Sequence, residues 1–107
     1  MKLFSVETLK GMNYEELGIV TGSTIQSKNF VSDFGQGLKS IVGGELKSYT
    51  AMMEKARNMA TNRMIDEAIK QGADAIIGVR YTTSAIMAQA AEVLVYGTAI
   101  RYKGSSA

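Results

Sequence analysis

Apolar and polar residues alternate with a period of two along "ELGIVTGSTI" (16–25), which predicts a strand. Leu17, Ile19 and Ile25 point one way, and Val20 with two glycines points the other. Gly18 and Gly22 inside the strand signal a bulge or a close backbone approach. Upstream, "LFSVETL" (3–9) reads as a short strand and "GMN" (11–13) as a turn. The period then changes. Phe30, Phe34, Leu38 and Ile41 recur at helical spacing in 29–44, which predicts a short helix ended by Gly43-Gly44. Residues 45–71 are rich in Ala, Met, Glu, Lys and Arg, all good helix formers. Tyr49, Met53, Ala56, Ala60 and Met64 form one stripe there, which Met52, Met59, Ile65 and Ile69 widen. Gly72 stops this helix in a left-handed cap, and Asp74 supplies a turn hydrogen bond. Two more strands are predicted, at 73–83 and 92–103, with 84–91 as their connection. In the last strand Val93, Val95 and Ala99 face one side, and Leu94, Tyr96, Ile100 and Tyr102 the other.

The last two strands are apolar on both faces, from the neighbours Ile76 and Ile77 onward. One long helix covers one face of a small antiparallel sheet. At ~1.5 Å per residue it spans ~40 Å, against a radius of gyration of ~13 Å for a domain this size. It is therefore expected to run the full length of the molecule. The second face needs another cover, either a neighbouring subunit or the short helix at 30–42. A small monomer buries a modest share of its apolar surface, which favours the neighbouring subunit.

Composition narrows the class. The 107 residues make a single domain, 1–107, with 46% hydrophobic content, which is ordinary for a globular chain. No Pro is present, so 11 glycines do the punctuating. Twelve basic and ten acidic residues leave a formal charge of +2, which implies neither nucleic acid nor an acidic membrane surface as partner. No apolar run approaches a membrane span, and "MKLFSVETLK" lacks a signal-peptide core, so a cytoplasmic protein is expected. With no His and no Cys, there is no Ser-His-Asp triad, no Cys nucleophile and no usual zinc site.

Five segments together resemble the YbjQ-like family, small bacterial and archaeal proteins of unassigned function. They are "GIVTGSTI" (18–25), "DFGQGLKSIVGGELKSY" (33–49), "KAR" (55–57), "GADAIIGV" (72–79) and "YGTAIR" (96–101). The resemblance runs from about Leu9 to Lys103. It implies an α+β, dodecin-like subunit: a small, mostly antiparallel sheet of about four strands packed against one short and one long helix. It also implies closed homo-oligomeric rings, typically pentamers, and a heavy-metal-binding description. Soft and borderline metals favour thiolate and imidazole, which this chain lacks. Carboxylates for a hard divalent cation, or Met sulfurs for Cu(I), are the remaining donors. Many relatives carry an acidic residue near Thr82, and its absence here weakens a metal site at that strand end.

Candidate site residues follow, each with a plainer structural reading beside it. Asp33 and Glu45 flank the short helix and offer metal ligands, or they are first-turn acids favoured by the helix dipole. Tyr49 and Arg57, at i and i+8 on nearly one helix face, offer an anion-binding pair, or they are a buried tyrosine and an interface ion pair. Arg80 beside Thr82, Thr83 and Ser84 offers phosphate or carboxylate binding, or a solvent-facing strand. The helix methionines read as core fillers. "DFG" (33–35) and "GQGLKS" (35–40) lack the partner motifs and spacing of kinase and phosphate loops. No acid–base pair or nucleophile stands out. The sequence favours a ring-forming binding or scaffold module for a small ligand over a carboxylate metal site, and either over an enzyme.

Overall fold

The computed structural model describes residues 1–27, 43–87 and 90–104, with the side chains of 43–46 and 87 left aside. Among the described residues four strands, β1 (Lys2–Leu3), β2 (Tyr14–Ser27), β3 (Ala75–Met87) and β4 (Ala90–Tyr102), form one sheet, and one helix, α1 (Gly43–Lys70), lies on it. The sheet order is β1-β3-β4-β2. β4 lies between β3 and β2 and is antiparallel to both, while β1 adds to β3 in parallel. The α+β architecture expected from the sequence is the one observed. The predicted short helix at 29–44 and Asp33 lie outside the described residues, as does the Glu45 side chain.

α1 packs across β2 and β4. Its buried stripe is Ala56, Ala60, Met64 and Ala68, with Met53 and Ile65 partly buried beside it. The strands answer with Val20, Ile76, Val79, Val93, Val95 and Ala99. Small residues set the spacing. A Cβ built on Gly22 would overlap the Ala60 carbonyl oxygen and lie 2.5 Å from the Met64 nitrogen. Strand and helix backbones therefore touch, and only glycine fits at that point. Met64 is fully buried, and burial of such a side chain contributes about 1.5–3 kcal/mol. The helix closes as expected: Gly72 has φ +82°, its N–H donates to Ile69 O, and the Ala73 N–H donates to Ala68 O. This is the paired hydrogen bonding of a Schellman cap.

The second face of the sheet is covered in part by a segment to which the sequence reading gave no such role. Phe4, Leu9 and Tyr14, from the N-terminal stretch, pack on Ala75, Ile77 and Ile100. That stretch is stitched to β3 by Phe4 N–H to Ile76 O, Val79 N–H to Phe4 O and Gly78 N–H to Val6 O. Neither a second subunit nor the predicted short helix is needed at this end. Beyond Gly78 the same face carries no cover from the described residues, and Ile19 is 74% and Ile25 63% exposed.

Three further expectations change. Residues 84–87 and 90–91 are strand, not connection, because Ser84 pairs Glu92 and Ala85 pairs Ala91. Leu17 packs with the helix-side core instead of sharing a face with Ile19, because a bulge between Glu16 and Gly18 shifts the alternation by one residue. The molecule also outruns its helix. Twenty-eight helical residues cover about 42 Å, whereas the longest axis is 65 Å and the radius of gyration 18.1 Å.

Candidate functional site

A cleft of about 360 Å³ opens on the second face where the N-terminal cover ends. Ile19, Ile77, Tyr96 and Thr98 line it, with Glu7 and Glu16 beside them. Its shape comes from Gly78, which takes φ +63° within the irregular register between Ile77 and Arg80. That bulge lets the chain around Val6 and Glu7 hook over the strand. Arg80 secures the hook: its guanidinium donates to Ser5 O at 2.7 Å and to Val79 O at 3.0 Å, and pairs with Glu7 at 3.6 Å. Both ion-pair partners are well exposed, so the pair adds little stability and acts mainly to position Glu7. The result is an apolar floor beside two carboxylates and one phenol. Such a cleft suits an amphipathic ligand with hydrogen-bond donors or positive charge. It offers no nucleophile with an adjacent base.

The structure separates residues that the sequence reading grouped. Arg80, Thr82 and Ser84 share the open face, opposite Tyr96, Leu94 and Glu92 on β4. Thr83 lies on the helix side with Tyr81, whose hydroxyl shares a 2.8 Å hydrogen bond with Thr61 Oγ1 on α1. Arg80 is also engaged by the N-terminal segment, so it flanks the cleft instead of standing ready for an anion. Tyr49 is half-buried while Arg57 is exposed. Eight residues at 100° each leave the two about 80° apart around the helix, and it is Ala56 that joins the buried stripe. Tyr49 and Arg57 are thus not brought together as a site. Asp74 accepts the Tyr102 backbone N–H at 2.8 Å, a structural role. Met64 is core, and Met59 Sδ accepts from Gln26 Nε2 at 3.6 Å.

Glu7, Glu16 and Tyr96 went unnoticed in the sequence because they are far apart along it. Gly78 was the one usable signal, a glycine interrupting an apolar strand. A second groove, about 430 Å³, runs between the β2 edge and α1 and is lined by Ser23, Arg63, Asp66, Glu67 and Lys70 among others. Arg63 there donates to Ser23 O at 2.6 Å.

A family model described as "Putative heavy-metal-binding" matches residues 1–103. The chain belongs to the YbjQ-like family. YbjQ-like relatives with the designation UPF0145 protein include one from Clostridium novyi, 56% identical over 101 residues, covering 94% of this chain and 98% of the relative. Another, from Helicobacter hepaticus, is 54% identical over 101 residues, covering 94% and 97%. A third, from the archaeon Methanosarcina acetivorans, is 48% identical over 102 residues, covering 94% and 96%. The fold is shared with a crystal structure of a protein with unknown function from Pediococcus pentosaceus, belonging to the DUF74 family. The TM-score is 0.66 at 16% identity, with 96% of this chain and 98% of that one covered.

The YbjQ-like description was tested against the donor set. The sequence holds no thiol and no imidazole. Among the described residues no three carboxylates converge. Glu7 and Glu16 on one cleft are hard oxygen donors, unsuited to a soft heavy metal. The described residues of this member do not fit a heavy-metal centre. No described helix is long and apolar enough to cross a membrane.

Proposed function

We propose that this YbjQ-like chain is a homo-oligomeric ring of the cytoplasm that holds a small ligand in the Glu7–Glu16–Tyr96 cleft at its subunit junctions. The observation that carries this reading is the half-covered sheet. The N-terminal segment dries one end of the second face, while Ile19, Ile25 and Tyr96 stay exposed along the rest. Exposed apolar side chains gathered on one face are what an interface buries. The five-fold stoichiometry follows from the family resemblance. The cleft opens at the boundary between the two halves, so a neighbour seated on the exposed half would wall it.

The family description supports a second reading, a divalent cation held by carboxylates. In a ring, Glu7 and Glu16 from successive copies supply the ligand count that one subunit lacks. Native mass spectrometry of the purified protein, before and after addition of Mg²⁺, Mn²⁺ or Zn²⁺, separates the two. A closed ring carrying an organic mass is the expected result. A ring that gains only metal ions in stoichiometric number favours the second reading. A monomer refutes the assembly.

A further inference from the structure

Among the described residues the sheet has two unpaired edges, and their geometry specifies how they join. On one side, β2 pairs with β4 and with no other described strand, which leaves its outer edge open among the described residues. On the other, β1 and the N-terminal stretch occupy β3 as far as Val79, so among the described residues Arg80–Met87 has an open outer edge. Unpaired edges of this length are templates for strand addition.

The backbone directions can be read off. Arg63 reaches the Ser23 carbonyl from outside the sheet, so Ser23 points its backbone groups outward. Regular alternation then turns Ile19, Thr21 and Ile25 outward as well. Ser23 lies opposite Leu94, and Leu94 lies opposite Thr82. Leu94 therefore bonds toward β3, and Thr82 bonds back to it. Tyr81, Thr83 and Ala85 are left facing outward, in agreement with Val79, whose N–H goes outward to Phe4 O.

The side chains decide the pairing. The outward-bonding residues of β2 carry theirs on the open face, as the exposed Ile19 and Ile25 show. Those of β3 carry theirs on the helix face, as the Tyr81–Thr61 bond shows. Antiparallel pairing sets bonded residues on the same face and would turn the second subunit over. Parallel pairing bonds each residue to two that lie on the opposite face, which keeps both sheets the same way up. β2 and β3 run in the same direction within one chain, since both are antiparallel to β4. A second copy added by simple rotation therefore brings its β3 edge to this β2 edge in parallel. For a β2 edge meeting a β3 edge, direction and face parity agree only in this arrangement; a β2–β2 or β3–β3 contact would be two-fold and would end in a dimer, not a ring.

We infer that the subunits join through parallel pairing of the outer edge of β2 with residues 80–87 of the next copy. The contact is head-to-tail, the type that closes into rings. In a lone subunit Arg63 occupies one of the β2 carbonyls, and strand addition replaces that bond. This inference rests on the ring reading above.

The test is Thr83→Pro, with hydrogen exchange of the wild-type assembly beside it. Proline is tolerated on an edge strand, and the Thr83 N–H has no partner among the described strands. The expected result is a folded variant that has lost the assembled species. In the wild-type ring, the Thr83 and Ile25 amides should exchange at least about tenfold more slowly than in dissociated subunits, with Thr82 slow in both. A ring that persists in Thr83→Pro, with fast exchange at Thr83 and Ile25, overturns the edge pairing and leaves the ring reading intact. A monomeric wild type refutes both. If Thr83→Pro does not fold, the wild-type exchange pattern decides alone.

Discussion

Single atoms set the spacing between strand and helix. At Gly22 a methyl group would enter the backbone of α1 at Ala60 and Met64, neither of which can swing aside as a flexible side chain would. Gly22→Ala should therefore push α1 off β2 and loosen the packing of Met64. A loss of about 1–3 kcal/mol is expected, read as a lower urea midpoint. The capping glycine at 72 was legible in the sequence because its requirement is local: a helix pattern ends, and a left-handed residue must follow. The side of Leu17 was not. Its alternation is broken by a bulge, and the bulge shows only when β4 is laid beside β2. Nor was the pairing of Arg80 with the N-terminal segment, since the two meet across more than seventy positions of chain.

Whole elements were legible where their patterns are long. The main helix and the last strand stand close to their expected bounds. The 84–91 stretch looked like a connection because its residues are mixed and small, yet cross-strand partners extend both strands through most of it. Local propensity is a weak prior against such pairing. The N-terminal stretch was read as a short strand with no hint that it carries a second core. Its three apolar residues are spaced five apart, a period that belongs to neither helix nor strand. Phe4 is the anchor of that element. Phe4→Ala should cost about 2 kcal/mol, less than a fully buried Phe. The same change should speed hydrogen exchange at Gly78 and Val79, whose N–H groups donate to Val6 and Phe4. A loss of stability with unchanged exchange at those two amides would show that the hook does not depend on this ring.

The molecule as a whole is long for its mass, with a radius of gyration of 18.1 Å where about 13 Å is usual. The half-dry face of this extended sheet is the surface that the proposed ring would cover. Leu94 sits half-buried in the middle of the open face, whereas Val95 is fully buried under α1. Leu94→Asp should therefore dissociate the assembly while leaving circular dichroism unchanged. Val95→Asp should unfold the subunit instead. A Leu94→Asp ring of unaltered mass would show that no neighbour lies on this face and would leave the edge pairing alone to join the subunits.

The position of β4 in the centre of the sheet has a consequence for synthesis. This strand is translated last, yet β2 has no other partner among the described strands, and β3 has only the two residues of β1 and the segment that follows them. The nascent chain can thus wind its helix early but cannot build the full sheet until β4 has been made. Some ninety residues precede the first long pairing, so most of the sheet must close at once, from contacts between distant parts of the chain. During that interval the bare strands of neighbouring nascent chains are as available to each other as to their own β4, and polysomes making this protein are where misassembly would begin.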